Sequence, residues 1–306
     1  MTHDTAPLSG IQLELTLDDQ TAIVTDVGAK VRSYTVDGRA VITPFDADEP
    51  APVSNGAVLA PWPNRIRDGR YAFDGTEHQL DISEPGRMTA LHGLVMWQRW
   101  TVTERSESHV TLEVRTAPSS GYPFDLLVAV TYRLTAAGLH VQARATNLGR
   151  TAAPYGIGFH PWLSPGAGSL DECTFSLDAE TRVTTDERLL PTGTEPAAGR
   201  YDLRTARAAD ELDLDDAYVD VRRDADGLSW ARLTGADGRT AAVWMDESMD
   251  TWQVCSGNHL DLVAWRRTGM AAEPQSCVAD AFRTGERLVR LEPGASHEVT
   301  WGMTLL

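Results

Sequence analysis

The chain has 306 residues, of which 42% are hydrophobic and 23% are charged, so it is long enough and apolar enough to bury a sizeable core. Its 27 basic and 44 acidic residues give a formal net charge of −17. A phosphate backbone or an anionic bilayer would repel such a chain, so we expect neither nucleic acid nor a membrane surface as its partner. A small neutral or cationic ligand is compatible with this charge.

The N-terminal segment and the cysteines bear on localisation. The opening MTHDTAPLSG has neither the basic nor the apolar region of a secretory signal, and no run of eighteen apolar residues follows. We therefore expect a cytoplasmic protein. The three cysteines, Cys173, Cys255 and Cys277, are widely spaced and contain no CxxC pair. This pattern argues against a disulfide framework and a structural zinc site, so we expect reduced thiols and no metal.

Apolar and polar residues alternate in several segments, as they do in a half-buried strand. The first is IQLELTL, in which Ile11, Leu13, Leu15 and Leu17 share one face. The same alternation recurs in TLEVRT (111–116) and LHVQARA (139–145). Turn signals separate such segments, among them VDGR at 36, FDG at 73, SSGYP at 119 and ADGR at 236. Short strands joined by tight turns are predicted throughout.

Helical periodicity is weak, although residues 202–214 (DLRTARAADELDL) have room for one or two turns. The fold class we predict is all-β, a large antiparallel β-sandwich. No linker, low-complexity run or fixed-period repeat divides the chain. We therefore expect a loose N-terminus over residues 1–9 and one domain over residues 10–306.

Four segments concentrate polar and aromatic residues that a sandwich core would not use, at 59–75, 90–94, 156–162 and 271–282. They contain histidines, an arginine, an amide and a carboxylate close to aromatic rings, which is the set of groups that binds a sugar. His160 and Glu273 each precede a proline, so extended backbone should hold both. In GIGFHPW, alternation places His160 and Trp162 on one face and Phe159 on the other. For an arbitrary sequence, a buried core histidine beside a tryptophan would explain this pattern as well.

Seven strings in these and nearby segments resemble the aldose 1-epimerase (galactose mutarotase) family. They are APWPNRI, LHGL, GYPF, GFHPW, LPTG, LDDAY and AEPQSCVADAF. The resemblance extends from about Gly56 to the closing LEPGASHEVTWGM, and the N-terminal strand pattern is compatible with it. It implies large antiparallel sheets packed as an extended sandwich, with a sugar bound in an open cleft on one sheet.

The resemblance also implies a role for each matching residue. His160 matches the general acid that protonates the ring oxygen, and Glu273 matches the general base that takes the proton of the anomeric hydroxyl. His92, in LHGL, matches a histidine that hydrogen-bonds the sugar near its ring oxygen.

The remaining matches are substrate-binding residues. Asn64 and Arg65 match residues that bind the sugar's hydroxyls, and Asp215 matches the carboxylate at its far side. Many members have an Asp-His pair where this chain has Asp215 and Asp216, so either carboxylate is compatible with the pattern, and Asp215 is our choice. The direction of Trp252 and Gln253 in MDTWQV is not fixed by the sequence.

The implied reaction interconverts the α and β anomers of a free hexose such as glucose or galactose. An ionised Glu and a protonated His supply the base and acid that ring opening needs, so no cofactor is expected. The chain has no GxGxxG, P-loop or HExxH motif. Two alternatives stay open: a hexose-6-phosphate mutarotase, with Arg67 and Arg70 near the phosphate, and a non-catalytic sugar-binding protein. The preferred sugar and the oligomeric state are not predicted.

Overall fold

The structure is a computed structural model that describes residues 6–306, and its regular elements are almost all β-strands. The first half of the described chain contains β1 (Gln12–Leu17), β2 (Gln20–Thr25), β3 (Val31–Val36), β4 (Arg39–Ala40), β5 (Val58–Leu59), β6 (Arg65–Arg67), β7 (Arg70–Phe73), β8 (Thr76–Gln79), β9 (Thr89–Leu91), β10 (Thr101–Arg105), β11 (His109–Arg115), β12 (Leu126–Thr135) and β13 (Gly138–Asn147).

The second half contains β14 (Ala153–Tyr155), β15 (Gly158–Phe159), β16 (Trp162–Leu163), β17 (Thr174–Leu177), β18 (Ala179–Thr185), β19 (Pro191–Pro196), β20 (Arg207–Ala208), β21 (Asp215–Val221), β22 (Ser229–Thr234), β23 (Thr240–Met245), β24 (Thr251–Cys255), β25 (Met270–Gln275), β26 (Val289–Leu291) and β27 (Ser296–Leu305).

Helical structure is limited to short segments. The α-helix α1 spans Ala281–Thr284, and 3₁₀ turns lie at Pro52–Ser54, Pro85–Arg87, Leu170–Glu172, Gly199–Tyr201, Ala209–Glu211 and Val263–Trp265. The segment 202–214, predicted to hold one or two helical turns, contains one of these 3₁₀ turns and the two-residue strand β20.

Two large antiparallel sheets dominate the fold. One has nine strands in the order β10-β11-β12-β13-β27-β23-β22-β17-β20. The other has eight: seven lie in the order β19-β18-β21-β24-β25-β15-β5, and β16 pairs with β25 beside β15. A four-stranded sheet, β1-β2-β3-β4, precedes them in the chain. The predicted all-β sandwich is confirmed.

The inner faces of the two large sheets form the core. Phe159 of β15 lies 4.8 Å from Trp301 of β27, measured between ring centroids. Trp252 of β24 is fully buried, and its indole N–H donates to the Ser229 hydroxyl of β22 at 3.0 Å. Because side chains alternate along a strand, Gln253 and its neighbours on the other face of β24 point away from this core.

The predicted strand faces agree with the observed burial, with one exception. In β1, Leu13 and Leu15 are buried as expected, whereas Ile11 is 54% exposed. The strand begins one residue later, at Gln12, and the Ile11 N–H donates to the Asp26 carboxylate instead of a strand partner. Ile11 therefore lies outside the alternating pattern that its neighbours follow.

The predicted loose N-terminus lies partly outside the described residues, which begin at Ala6. Ser9 is buried, and both its N–H and its hydroxyl donate to the Ala47 carbonyl. The assignment of residues 10–306 to one domain stays a prediction. Within residues 6–306, the structure contains no helix of the length and hydropathy needed to cross a bilayer.

The burial of Trp252 between the sheets generates a stability prediction. We expect Trp252→Ala to lower the free energy of unfolding by roughly 3–5 kcal/mol, because it leaves a cavity where the two sheets meet. Trp97→Ala is the matched control: Trp97 is 52% exposed, so its loss should cost about 1 kcal/mol or less. Urea unfolding followed by circular dichroism measures both, and equal losses would contradict the packing described here.

Candidate active site

The predicted site residues meet in one cleft of about 440 Å³ on the outer face of the eight-stranded sheet. All six line it: Asn64, Arg65, His92, His160, Asp215 and Glu273. A larger concavity of about 730 Å³ lies along β7, β8 and α1 and contains none of them. The sequence strings, separated by up to about two hundred positions, therefore converge on one surface.

His160 and Glu273 face each other at the floor of the cleft. Glu273 is in β25 and is 2% exposed, and His160 lies between β15 and β16 and is 7% exposed. The His160 Nε2 atom is 3.4 Å from the Glu273 Oε1 atom. The His160 ring is stacked against Trp162 on the cleft side, as the alternation predicted. The arrangement brings a titratable nitrogen and a carboxylate into direct contact.

Burial shifts the pKa values of this pair in opposite directions, because it disfavours the charged form of each group. It lowers the pKa of His160 to about 4, and the nearby Arg65 guanidinium adds to that shift. It raises the pKa of Glu273 well above its ordinary value, and the carboxylate of Asp215 adds to the rise. In the empty cleft, burial therefore favours a neutral His160 and a protonated Glu273, the opposite of the protonated histidine and ionised glutamate assumed from the sequence.

His92 is oriented by the backbone of Asn64. The backbone N–H of Asn64 donates to His92 Nδ1 at 3.2 Å. The backbone N–H of His92 donates in turn to the Asn64 backbone carbonyl at 2.9 Å. A neutral imidazole that accepts at Nδ1 carries its proton on Nε2, so His92 is a hydrogen-bond donor toward the cleft. Burial lowers the pKa of His92 well below its usual range, and the adjacent His160 and Arg65 act in the same direction. All three influences favour the neutral form of His92.

A second carboxylate holds Arg65. Glu84 accepts from Arg65 Nε at 2.8 Å and from Arg65 Nη2 at 3.1 Å, and it also accepts from the Thr89 hydroxyl at 2.6 Å. The side chain of Arg87, at the edge of the cleft, donates to the same carboxylate. The two contacts between Arg65 and Glu84 fix the plane of the Arg65 guanidinium. The remaining nitrogen, Nη1, donates to Asn64 Oδ1 at 3.3 Å on the cleft side.

Gln253 connects the two sides of the cleft. The sequence alone did not show toward which face of its strand this side chain points. Its Nε2 donates to Asp215 at 2.8 Å, and its Oε1 accepts from Asn64 Nδ2 at 3.2 Å. Gln253 lies directly opposite Glu273 in the pairing of β24 with β25. The register between these strands, which sequence alternation alone does not provide, puts Gln253 in the site and leaves Trp252 in the core.

The two neighbouring carboxylates of LDDAY point to opposite faces of β21. Asp215 lines the cleft, whereas Asp216 accepts from the Arg182 guanidinium at 2.7 Å, away from the cleft-lining residues. Burial raises the pKa of Asp215, although Arg65 opposes the shift and Asp216 adds to it. The choice of Asp215 over Asp216 as the cleft residue therefore agrees with the structure.

The residues considered for other chemistry lie elsewhere or have other partners. Arg67 forms an ion pair with Asp186 and Arg70 donates to Gln79, and neither lines the cleft. All three cysteines are free thiols: Cys173 and Cys277 are buried, whereas Cys255 lines the cleft. In the described part of the chain, no group of three or more His, Cys, Asp or Glu is placed to hold a metal ion.

The family model for aldose 1-epimerase matches residues 12–304. The chain belongs to the aldose 1-epimerase family. Uncharacterized protein YihR of Escherichia coli K12 is 34% identical over 300 residues, which cover 95% of this chain and 92% of that protein. Human galactose mutarotase is 33% identical over 158 residues, which cover 49% of this chain and 45% of that enzyme.

The fold is also that of solved family structures. A GalM/aldose epimerase homologue from C. elegans superimposes with a TM-score of 0.86 at 20% identity, covering 97% of this chain and 98% of that one. At this identity the likeness is evidence of the fold alone. The chain is thus a member of a family of carbohydrate epimerases. The roles of the individual site residues stay predictions.

The buried position of His160 generates a prediction about its titration. We expect its imidazole to titrate near pH 4 in the free protein, because burial and Arg65 disfavour the imidazolium. Nuclear magnetic resonance of protein labelled at histidine nitrogens measures this, with the His160→Asn spectrum assigning the signal. A His160 signal that titrates near the ordinary histidine value would contradict the geometry described here.

Proposed function

We propose that this protein is an aldose 1-epimerase that interconverts the α and β anomers of a free hexose such as glucose or galactose. The observation that carries the proposal is the pair formed by His160 and Glu273, buried at 3.4 Å in a cleft that polar donors and acceptors line. Family membership supports the same reaction class. The choice of glucose or galactose as the substrate belongs to the proposal and does not follow from the family.

The proposed reaction moves protons only. Glu273 accepts the proton of the anomeric hydroxyl while His160 donates a proton to the ring oxygen, and the bond between C1 and the ring oxygen breaks to give the open aldehyde. Rotation about the C1–C2 bond then presents the other face of the carbonyl. Ring closure reverses both transfers, so His160 regains its proton and Glu273 loses the one it took.

The competent form of the pair has its proton on His160 and an ionised Glu273. Burial favours the neutral form of both groups, so this is the less populated form in the empty cleft. Hydroxyl groups of a bound sugar stabilise a carboxylate by hydrogen bonding and so favour the competent form. In this account, substrate binding itself prepares the acid and the base.

The other predicted residues act in binding. His92, neutral and with its proton on Nε2, donates to an oxygen near the sugar ring. Arg65 and Asn64 bind hydroxyl groups on one side, and Asp215 accepts from hydroxyl groups on the far side. Gln253 joins this set because it hydrogen-bonds both Asn64 and Asp215.

The two alternatives find less support. A hexose-6-phosphate mutarotase needs cations for the phosphate, but Arg67 and Arg70 do not line the cleft, and Arg65 and Arg87 both pair with Glu84. A non-catalytic sugar-binding protein has no need for an acid and a base buried in direct contact.

Polarimetry tests the proposed activity. Freshly dissolved α-glucose or α-galactose should approach its equilibrium rotation faster with the protein than without it, in proportion to the protein concentration. Glucose 6-phosphate, assayed in parallel, tests the phosphate alternative. If sugars bind in calorimetry and no rotation rate changes, the non-catalytic alternative holds and the proposed activity is wrong.

The proton-transfer roles generate a mutational prediction. Glu273→Gln and His160→Asn should each lower kcat by about 10²–10⁴-fold, the contribution typical of a positioned acid or base. Because both groups act in the same ring-opening step, the double variant should be much less impaired than the product of the single losses. The exposed carboxylate of Glu298, changed to Gln, is a matched control that should retain full activity. A Glu273→Gln enzyme within a few-fold of wild type would remove Glu273 as the base.

A further inference from the structure

Gln275 is a buried side chain directly beside the proposed base. It is 1% exposed and lies two residues after Glu273 in β25, so the two side chains share a face of the strand. The Gln275 Nε2 atom donates to Glu273 Oε2 at 3.0 Å. Gln275 is not among the residues that line the cleft, so a bound sugar would contact Glu273 and not Gln275.

We propose that Gln275 is a positioning residue, whose amide holds the Glu273 carboxylate in the rotamer that directs its other oxygen toward His160 and the sugar. The proposal deepens the proposed function and rests on it for its kinetic consequences. The carboxylate has two oxygens, and each has a separate neighbour: Oε2 accepts from Gln275, and Oε1 is 3.4 Å from His160 Nε2. One hydrogen bond therefore fixes which oxygen is free to take a proton.

Gly158 makes room for this contact. It lies opposite Gln275 in the pairing of β15 with β25. A Cβ atom at position 158 would lie 2.9 Å from Gln275 Cγ and 2.8 Å from Pro63 Cβ, closer than packed carbon atoms approach. Because Gly158 has no side chain, the Gln275 side chain can occupy the space above it.

The other charged or titratable groups around Glu273 do not replace Gln275. Arg65 is held by Glu84, and Asp215 is a carboxylate that repels negative charge on Glu273. The remaining neighbours are the neutral His92, the thiol of Cys255 and His160 itself, which donates to Glu273 only when protonated on the facing nitrogen. Among the described residues, Gln275 is the side chain that donates a hydrogen bond to Glu273 whether or not His160 is protonated.

Two effects should follow from loss of this donor. The carboxyl group would bind its proton more tightly, because a hydrogen bond to its ionised form has been removed. The pKa of Glu273 should then rise by about one to two units. Contacts with the sugar hydroxyls are made by other residues, so kcat should fall by about tenfold or more near neutral pH, whereas KM should change little.

The experiment compares two independent variants with a control. Gln275→Met keeps the length of the side chain and removes the amide, and Gly158→Ala keeps the amide and displaces it. Gln20→Met is the matched control: Gln20 is a buried glutamine that donates to the Thr135 carbonyl and accepts from the Tyr34 hydroxyl, far from the cleft. Thermal unfolding establishes that each variant is folded before kcat and KM are measured by polarimetry over a range of pH.

The expected result is a loss of kcat in both site variants, relative to wild type, that is largest below the pKa of Glu273. The ratio of wild-type to variant kcat should approach one as the pH rises past that pKa, while kcat itself falls in all of them because the pair loses its shared proton. The control should lose stability without a pH-dependent change in kcat. A loss of the same size at every pH would mean that Gln275 has a structural role only, and full activity in Gln275→Met would overturn the proposal outright.

A direct titration separates this proposal from the proposed function. The side-chain carboxyl carbon of Glu273, labelled with ¹³C and assigned with Glu273→Gln, reports its pKa in the free protein without any sugar. We expect a higher pKa in Gln275→Met than in wild type. An unchanged pKa overturns the proposal even if the enzyme is active, and a raised pKa supports it even if no sugar is epimerised.

Discussion

The site depends on one constraint, which is that the carboxyl group of Glu273 lies within a sheet, almost out of contact with solvent. An isolated carboxylate in such a place would be strongly destabilising and would take up a proton instead. Here the group has a neutral donor on one side, Gln275, and a titratable nitrogen on the other, His160. The cost of burying the charge is therefore reduced without a permanent ion pair, which would fix Glu273 in its ionised form and weaken it as a base.

The sandwich supplies two different surfaces from the same strands. In β24, Trp252 packs between the sheets, whereas Gln253 faces the cleft. In β21, Asp215 faces the cleft and Asp216 pairs with Arg182. In these two strands the period of two thus places Gln253 and Asp215 one residue away from an anchored side chain, so the packing that stabilises the fold also holds these two residues.

Local patterns predicted the strands, because alternation, proline and turn residues act over a few positions. Leu13, Leu15 and the strand that contains them are examples, and Ile11 shows the limit, since no local signal marks where the strand begins. The site residues were predicted from the family resemblance of short strings. Gln253 and Gln275 were not, because their roles depend on which strands pair and in which register, and on the space at Gly158. Such information is distributed over distant parts of the chain.

The burial of the acid and base is consistent with the chemistry of the proposed reaction. Opening and closing of a hemiacetal ring are the same step in opposite directions, so the pair of His160 and Glu273 ends each turnover with the protons it had at the start. No net proton passes between the pair and solvent, and a water-accessible path to either group is not required. In the proposed reaction, the low-dielectric surroundings of the buried pair would strengthen the hydrogen bonds that we propose His92, Arg65 and Asp215 make to the sugar.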